Sequence, residues 1–127
     1  MPGPRFGFGV VLAAVLALAA GAAAAAELLM FDSPTCPWCI KWHREIGNAY
    51  PSTEEALMLP LRRIELAHAR PADLAGLKPV KVTPTFVIVD CGREAGRITG
   101  YGGEVAFYGE LDAIIEKMKA EGRPGGC

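Results

Sequence analysis

Cys36-Pro37-Trp38-Cys39 follows a short apolar run, Glu27-Leu28-Leu29-Met30-Phe31-Asp32, from which Ser33-Pro34-Thr35 separates it. The apolar run has few turn-formers and predicts a buried strand; the break and the two cysteines three positions apart predict the start of a helix. With Thr35 as its cap and Pro37 in its first turn, both cysteines fall on one helix face, one turn apart. Such a pair is within reach of a disulfide, whose Cα atoms must be roughly 4.4–6.8 Å apart. Cys36 then lies at unpaired backbone N–H groups and the positive end of the helix dipole, which stabilise a thiolate. Because the thiolate is the nucleophile, Cys36 reads as the attacking thiol and Cys39 as the deeper, resolving one.

The first 26 residues stand apart from the rest. Arg5 is the only charge before Glu27, Phe6 to Ala20 is apolar, and Gly21 to Ala26 offers Ala-x-Ala at 22/24 and 24/26. A basic start, an apolar middle and a small-residue end describe a secretory signal peptide over 1–26. The alternative is an N-terminal membrane anchor, since Phe6 to Ala26 is just long enough to span a bilayer; the polyalanine end favours cleavage. The folded domain is then expected over 27–120, with a flexible tail over 121–127. Export places the four cysteines in an oxidising compartment where disulfides persist. A purely structural Cys36–Cys39 bridge closes so small a loop that it stabilises little, which favours chemistry at this pair.

About a hundred residues suffice for one modest core. Without Arg5 the charge count is 12 basic against 14 acidic residues, a net of −2 from the full-chain counts of 13 and 14. No basic face or run stands out beyond Arg62-Arg63, so nucleic-acid binding has no support.

From Cys36 onward the periodicity is helical, ending at Gly47-Asn48. Ser52-Thr53-Glu54-Glu55 resembles a capping box for a short helix to about Met58. Leu61 to Leu66 reads as a second strand, with Ile64 and Leu66 facing inward, and Pro71 to Gly76 as one or two helical turns. Thr85-Phe86-Val87-Ile88-Val89 is the most strand-like segment present. Asp90-Cys91-Gly92-Arg93 is a tight turn into a partner strand, Glu94 to Thr99. Glu104 to about Ala120 is a closing amphipathic helix, with Val105, Tyr108, Leu111, Ile114-Ile115 and Met118 on its buried side. The order strand, helix, strand, helix, hairpin, helix implies an α/β fold whose early strands run parallel and whose hairpin adds antiparallel ones. A Cys-x-x-Cys opening the first helix of that pattern is the thioredoxin arrangement.

Over its mature length the chain resembles the thioredoxin superfamily, on Cys36-Pro37-Trp38-Cys39 and on Thr83-Pro84 at the entry to a strand. The resemblance implies a thioredoxin-like fold, a mixed sheet of about four strands flanked by helices. It also implies a cis-Pro84 beside the redox pair, with the backbone of Thr83 binding substrate. The run Thr83 to Asp90, then Gly92-Arg93-Glu94, Gly96-Arg97-Ile98 and Gly100-Tyr101, is similar to the SoxS-type exported thioredoxins of bacterial sulfur oxidation. That likeness implies a periplasmic thiol–disulfide reductase without resident cofactor. Its client would be the SoxYZ sulfur carrier, and its electrons would come from a membrane thiol transporter of the CcdA/SoxV kind. Two departures stand out. Thr35 and Pro37-Trp38 replace the family's usual residues around the pair. No acid lies near Met30, where thioredoxins keep the one that assists the resolving cysteine, so proton handling falls to water, Asp32 or His43. Cys-Pro-Trp-Cys also resembles the glutaredoxin motif, whose glutathione-dependent chemistry is the alternative. A further alternative is a metal-binding module with Cys36 and Cys39 as soft ligands for Cu(I) or Zn(II). A tetrahedral site needs four ligands, and no second Cys-x-x-Cys or paired His is near in sequence, so no metal is expected.

Among the remaining candidates, Trp38 is either part of a substrate-contacting rim or an ordinary half-exposed aromatic. His43, one turn beyond Cys39, either shuttles a proton or is a satisfied surface histidine. His68 has no helper in view. Tyr101 either lines the substrate groove or packs in the core. A strand over 85–89 spans about 17 Å, so the turn carrying Cys91 lies far from the redox pair, at the end where the closing helix delivers its tail. Cys91 and Cys127 are therefore expected to be able to pair, the alternative being two exposed solitary thiols or a mixed disulfide with a partner.

Overall fold

The computed structural model of the chain describes residues 1–4 and 26–124. The expected signal peptide over 1–26 falls largely on 5–25, and Cys127 on 125–127, so both lie outside the described residues. Among the described residues no helix is long and apolar enough to cross a membrane.

Strand β1 (Ala26–Asp32) occupies the interior of a four-stranded sheet ordered β2-β1-β3-β4. It pairs in parallel with β2 (Leu61–Glu65) and antiparallel with β3 (Thr85–Asp90), which in turn pairs antiparallel with β4 (Arg93–Thr99). The mixed sheet therefore has the expected composition. A strand with neighbours on both sides and layers on both faces must be apolar throughout, which explains the run Leu28-Leu29-Met30-Phe31. β1 begins at Ala26, one residue before the expected mature start, where it pairs with Asp90.

Side chains alternate between the two faces of the sheet. Leu28, Met30, Phe86, Ile88 and Ile98 point to one face, under helices α1 (Pro37–Trp42) and α3 (Glu104–Ala120). Leu29, Phe31, Ile64, Val87 and Val89 point to the other, which is covered by Leu74 and Leu77 from the long connection after β2. That connection holds only a single 3₁₀ turn, Ala72–Leu74, where one or two helical turns were expected. Cys36 and Cys39 belong to the helical face.

Three local expectations change. The helix expected to run from Cys36 to Gly47 is α-helical only to Trp42 and continues as a π-helical turn, His43–Gly47. The cap of α2 (Glu54–Met58) is Thr53 rather than Ser52, its hydroxyl accepting the Ala56 N–H at 3.2 Å. Ser52 is instead spent in a 3₁₀ turn begun by Tyr50. The buried stripe of α3 is Phe107, Leu111, Ile115 and Met118, while Val105 is 89% exposed. Two positions separate Val105 from Phe107, about 200° around a helix, so both cannot face the sheet. Tyr108 and Ile114 pack at the stripe's edge.

The β3–β4 turn takes positive φ at both Cys91 (53°) and Gly92 (75°), the mirror-image turn that matches strand twist. On β4, a side chain at Gly96 would place its Cβ 2.8–2.9 Å from the Ile114 side chain, so glycine is what lets α3 approach the sheet.

Candidate active site

Asp32 ends β1, Ser33-Pro34 turns the chain, and Pro37 takes the first position of α1. Proline suits that position because its missing N–H would have no helical partner. With Pro37 there, the cap is the residue before it, Cys36, and not Thr35. The Cys36 sulfur accepts the Cys39 N–H at 3.2 Å, while the Thr35 hydroxyl bonds that of Ser33 at 3.3 Å. Cys36 is 9% exposed at the mouth of the site, and Cys39 is fully buried beneath it.

Thr83 and Pro84 come to the same place from the far end of the connection between β2 and β3. The Thr83 carbonyl lies 3.3 Å from the Cys36 sulfur, and the Thr83–Pro84 peptide is cis. The Gly100 N–H donates to the Pro84 carbonyl at 2.8 Å, and the Thr85 hydroxyl to the Val82 carbonyl at 2.7 Å. Two arginines brace the approach to this loop. Arg70 donates to the carbonyls of Leu77 (2.7 Å) and Lys78 (3.3 Å), and Arg97 to those of Pro79 (2.8 Å) and Lys78 (3.2 Å). Glu94 orients Arg97 at 2.6 Å.

The two sulfurs have opposite electrostatics. Burial opposes the Cys36 thiolate, but hydrogen bonds from the Cys39 thiol, the Thr83 hydroxyl and the N–H groups of Cys39 and Trp38 outweigh it, so its pKa lies below the ordinary thiol range. The Thr83 carbonyl works the other way, since it accepts the proton of a neutral Cys36 thiol. Burial above all, then the hydrogen bond with Cys36, pushes Cys39 up to about 12, and the Asp32 carboxyl adds a smaller push in the same direction.

Asp32 and His43 meet at the end of β1. Asp32 Oδ2 is 2.6 Å from His43 Nε2, Asp32 Oδ1 accepts the Ser33 N–H at 2.8 Å, and the imidazole packs edge-on to Trp42 at 5.3 Å. His43 is thus a paired, half-buried residue of the site. His68 is exposed and lies 3.4 Å from Glu65.

Trp38 is 55% exposed, with the Lys41 ammonium 5.5 Å from its ring centre. Lys41 reaches Glu45 at 3.9 Å, and the Tyr101 hydroxyl donates to Glu45. Tyr101 is buried against Phe107 in the helical-face core, so it packs there rather than lining a groove. Neither Glu45 nor the arginine braces were singled out from the sequence. Their partners lie 56 residues away for Glu45 and 18 and 19 for Arg97, separations at which spacing carries no signal.

Cys91 is disulfide-bonded, Cys36 and Cys39 are free thiols, and Cys127, the fourth cysteine, lies outside the described residues. Arg123 donates to Asp90 at 2.7 Å, which brings the end of α3 to the turn that carries Cys91. Among the described residues no group of three or more His, Cys, Asp or Glu is arranged to hold a metal ion.

A family model described as a thioredoxin-like domain matches residues 13–115. Among solved structures, the chain is similar to the reduced form of the periplasmic thioredoxin SoxS from Paracoccus pantotrophus. The two share 39% sequence identity with a TM-score of 0.67, over 72% of this chain and 96% of that one. No curated protein matches.

Proposed function

The chain belongs to the thioredoxin-like family and is a thiol–disulfide oxidoreductase, and from that premise we propose that Cys36 and Cys39 reduce a client protein in the periplasm. The observation that carries this reading is the asymmetry of the two sulfurs. Cys36 stands at the mouth with its thiolate favoured, whereas Cys39 is buried and held protonated. Cys36 attacks a sulfur of the client's disulfide or sulfur adduct, and the client's leaving sulfur takes the bonding electron pair. Cys39 then displaces the client from Cys36, leaving the Cys36–Cys39 disulfide and a client carrying two more electrons. Exposed Trp38 forms a rim for the client, and the Thr83 backbone beside cis-Pro84 aligns its chain. The periplasmic setting is supported by the location of the SoxS neighbour and by the apolar N-terminal run that precedes Ala26. The same likeness supports a sulfur carrier of the SoxYZ kind as client and a CcdA/SoxV-type membrane transporter as electron donor.

Trapping tests this directly. Cys39→Ser accumulates a covalent complex with its client, identifiable by mass, and Cys36→Ser does not. Equal trapping by both variants overturns the assignment of roles. Turnover that needs glutathione rather than a protein donor moves the function to the glutaredoxin class.

A further inference from the structure

Thr85 is a buried polar residue to which the chemistry above gives no part. It opens β3, is 2% exposed, and donates its hydroxyl to the Val82 carbonyl at 2.7 Å. That carbonyl shares a peptide group with the Thr83 N–H. The Val82–Thr83 peptide is trans, so the two groups lie in one plane and point in opposite directions. Because Thr85 holds the carbonyl from inside the fold, the Thr83 N–H is turned outward. Among the described residues nothing accepts that N–H. The carbonyl of the same residue lies 3.3 Å from the Cys36 sulfur. A backbone donor without a partner beside that sulfur is a place for an acceptor that the client brings.

We propose that Thr85 is a positioning residue for the client: its hydroxyl fixes the Val82–Thr83 peptide so that the Thr83 N–H meets a backbone carbonyl next to the client's reactive sulfur. This rests on the roles proposed above for Cys36 and Thr83 and deepens them. It names what sets the Thr83 backbone, and it makes the preferred substrate a sulfur carried in an extended peptide.

The loop needs such a device, because residues 78–84 belong to no helix or strand. At one end Arg70 and Arg97 hold the carbonyls of Leu77, Lys78 and Pro79; at the other the Pro84 carbonyl takes the Gly100 N–H. Between these ends the Thr85 hydroxyl sets the plane that precedes Thr83. Val82 is 49% exposed, so without that hydroxyl its carbonyl turns to water at little cost. What is lost is direction. A peptide free to turn has to be ordered each time a client binds, and that ordering opposes binding.

The experiment compares two disulfides reduced by the dithiol protein. One is the disulfide-linked dimer of a blocked pentapeptide with a central cysteine flanked by alanines, which offers backbone carbonyls beside its sulfur. The other is 5,5′-dithiobis(2-nitrobenzoate), which has no peptide group. The readout is the ratio of their second-order rate constants, peptide over nitrobenzoate. Thr85→Val keeps the branched shape suited to a strand and removes the hydroxyl. The ratio then falls about three- to tenfold, the range for one neutral hydrogen bond. Thr85→Ser keeps the hydroxyl and holds the ratio within about twofold of the native one.

Urea unfolding of the same variants separates position from packing. Thr85→Ser leaves a methyl-sized gap in a buried place and is the less stable of the two, so stability and ratio run in opposite orders. A merely structural role gives the same order in both. Thr85→Ala also lacks the hydroxyl and shows the same fall in ratio, so the test stands even where Thr85→Val does not fold. An unchanged ratio in the variants without the hydroxyl, or a fall in Thr85→Ser as large as theirs, overturns the proposal. Cys36→Ser keeps the underlying reading distinct. Both reductions stop in it when Cys36 is the attacking thiol; if they persist, that reading fails and the role of Thr85 with it.

Discussion

Cys39 donates its backbone N–H to the sulfur of Cys36 at 3.2 Å, so one cysteine caps the helix that carries the other. The sulfur does the work that a serine or aspartate oxygen does at most helix starts. A cap accepts hydrogen bonds better when it is negative, so the same contact that starts α1 favours the Cys36 thiolate. Fold and reactivity share one interaction.

That sharing predicts the pH dependence of alkylation. With Cys36 depressed and Cys39 raised, limited treatment with iodoacetamide labels Cys36 alone, along a titration lying below that of an ordinary thiol. Thr83→Val removes the hydroxyl that favours the thiolate, which raises the Cys36 pKa. The rate at pH 6 then falls by up to about tenfold, while at pH 10, where Cys36 is ionised in both proteins, the rates converge. Peptide mass mapping of the adducts across pH checks both; equal labelling of Cys36 and Cys39 contradicts the first.

Gly96 and Ile114 make a second testable pair. A methyl at Gly96 meets the Ile114 side chain at 2.8–2.9 Å, closer than packed carbons allow. Gly96→Ala is expected to destabilise by about 1–3 kcal/mol in urea unfolding. Ile114→Ala makes room for the methyl, so the double variant loses less than the sum of the two single losses. Strict additivity shows that the Ile114 side chain is not what opposes the methyl.

The third prediction concerns the tail. Because Cys91 is disulfide-bonded while Cys36 and Cys39 are free, and because Arg123 ties the tail to Asp90, the expected partner of Cys91 is Cys127. Mapping of unreduced protein should give one cross-linked peptide pair containing Cys91 and Cys127. A loop of that length restricts the unfolded chain by about 3–4 kcal/mol, so Cys127→Ser lowers stability without changing the alkylation profile of Cys36. Recovery of both as free thiols removes the bridge.

Much of this architecture was legible before any coordinates. The apolar run over 28–31 became the doubly covered β1, the Asp90-Cys91-Gly92-Arg93 turn joins β3 to β4, and α3 has the expected limits. Thr83 beside Cys36 was readable only through family resemblance, because 47 residues separate them. The errors were local in another sense. Thr35 and Ser52 are good caps by residue type, but Pro37 and the 3₁₀ turn at Tyr50 shift each helix start by one residue. Val105 satisfies a hydrophobic count yet lies on the wrong side of its helix.

The sequence by itself determined where most strands, turns and helices fall, and it placed two sulfurs one helical turn apart at the start of α1. Those depend on backbone preferences and periodicities that act within a few residues. Tertiary structure decided how completely each sulfur is sheltered, and it brought Asp32 to His43, Glu45 to Tyr101 and Arg97 to the loop before Thr83. Such meetings depend on strand register and on how far α1 and α3 settle onto the sheet. Charge, burial and hydrogen bonding at the site follow from that packing, and no spacing along the chain encodes them.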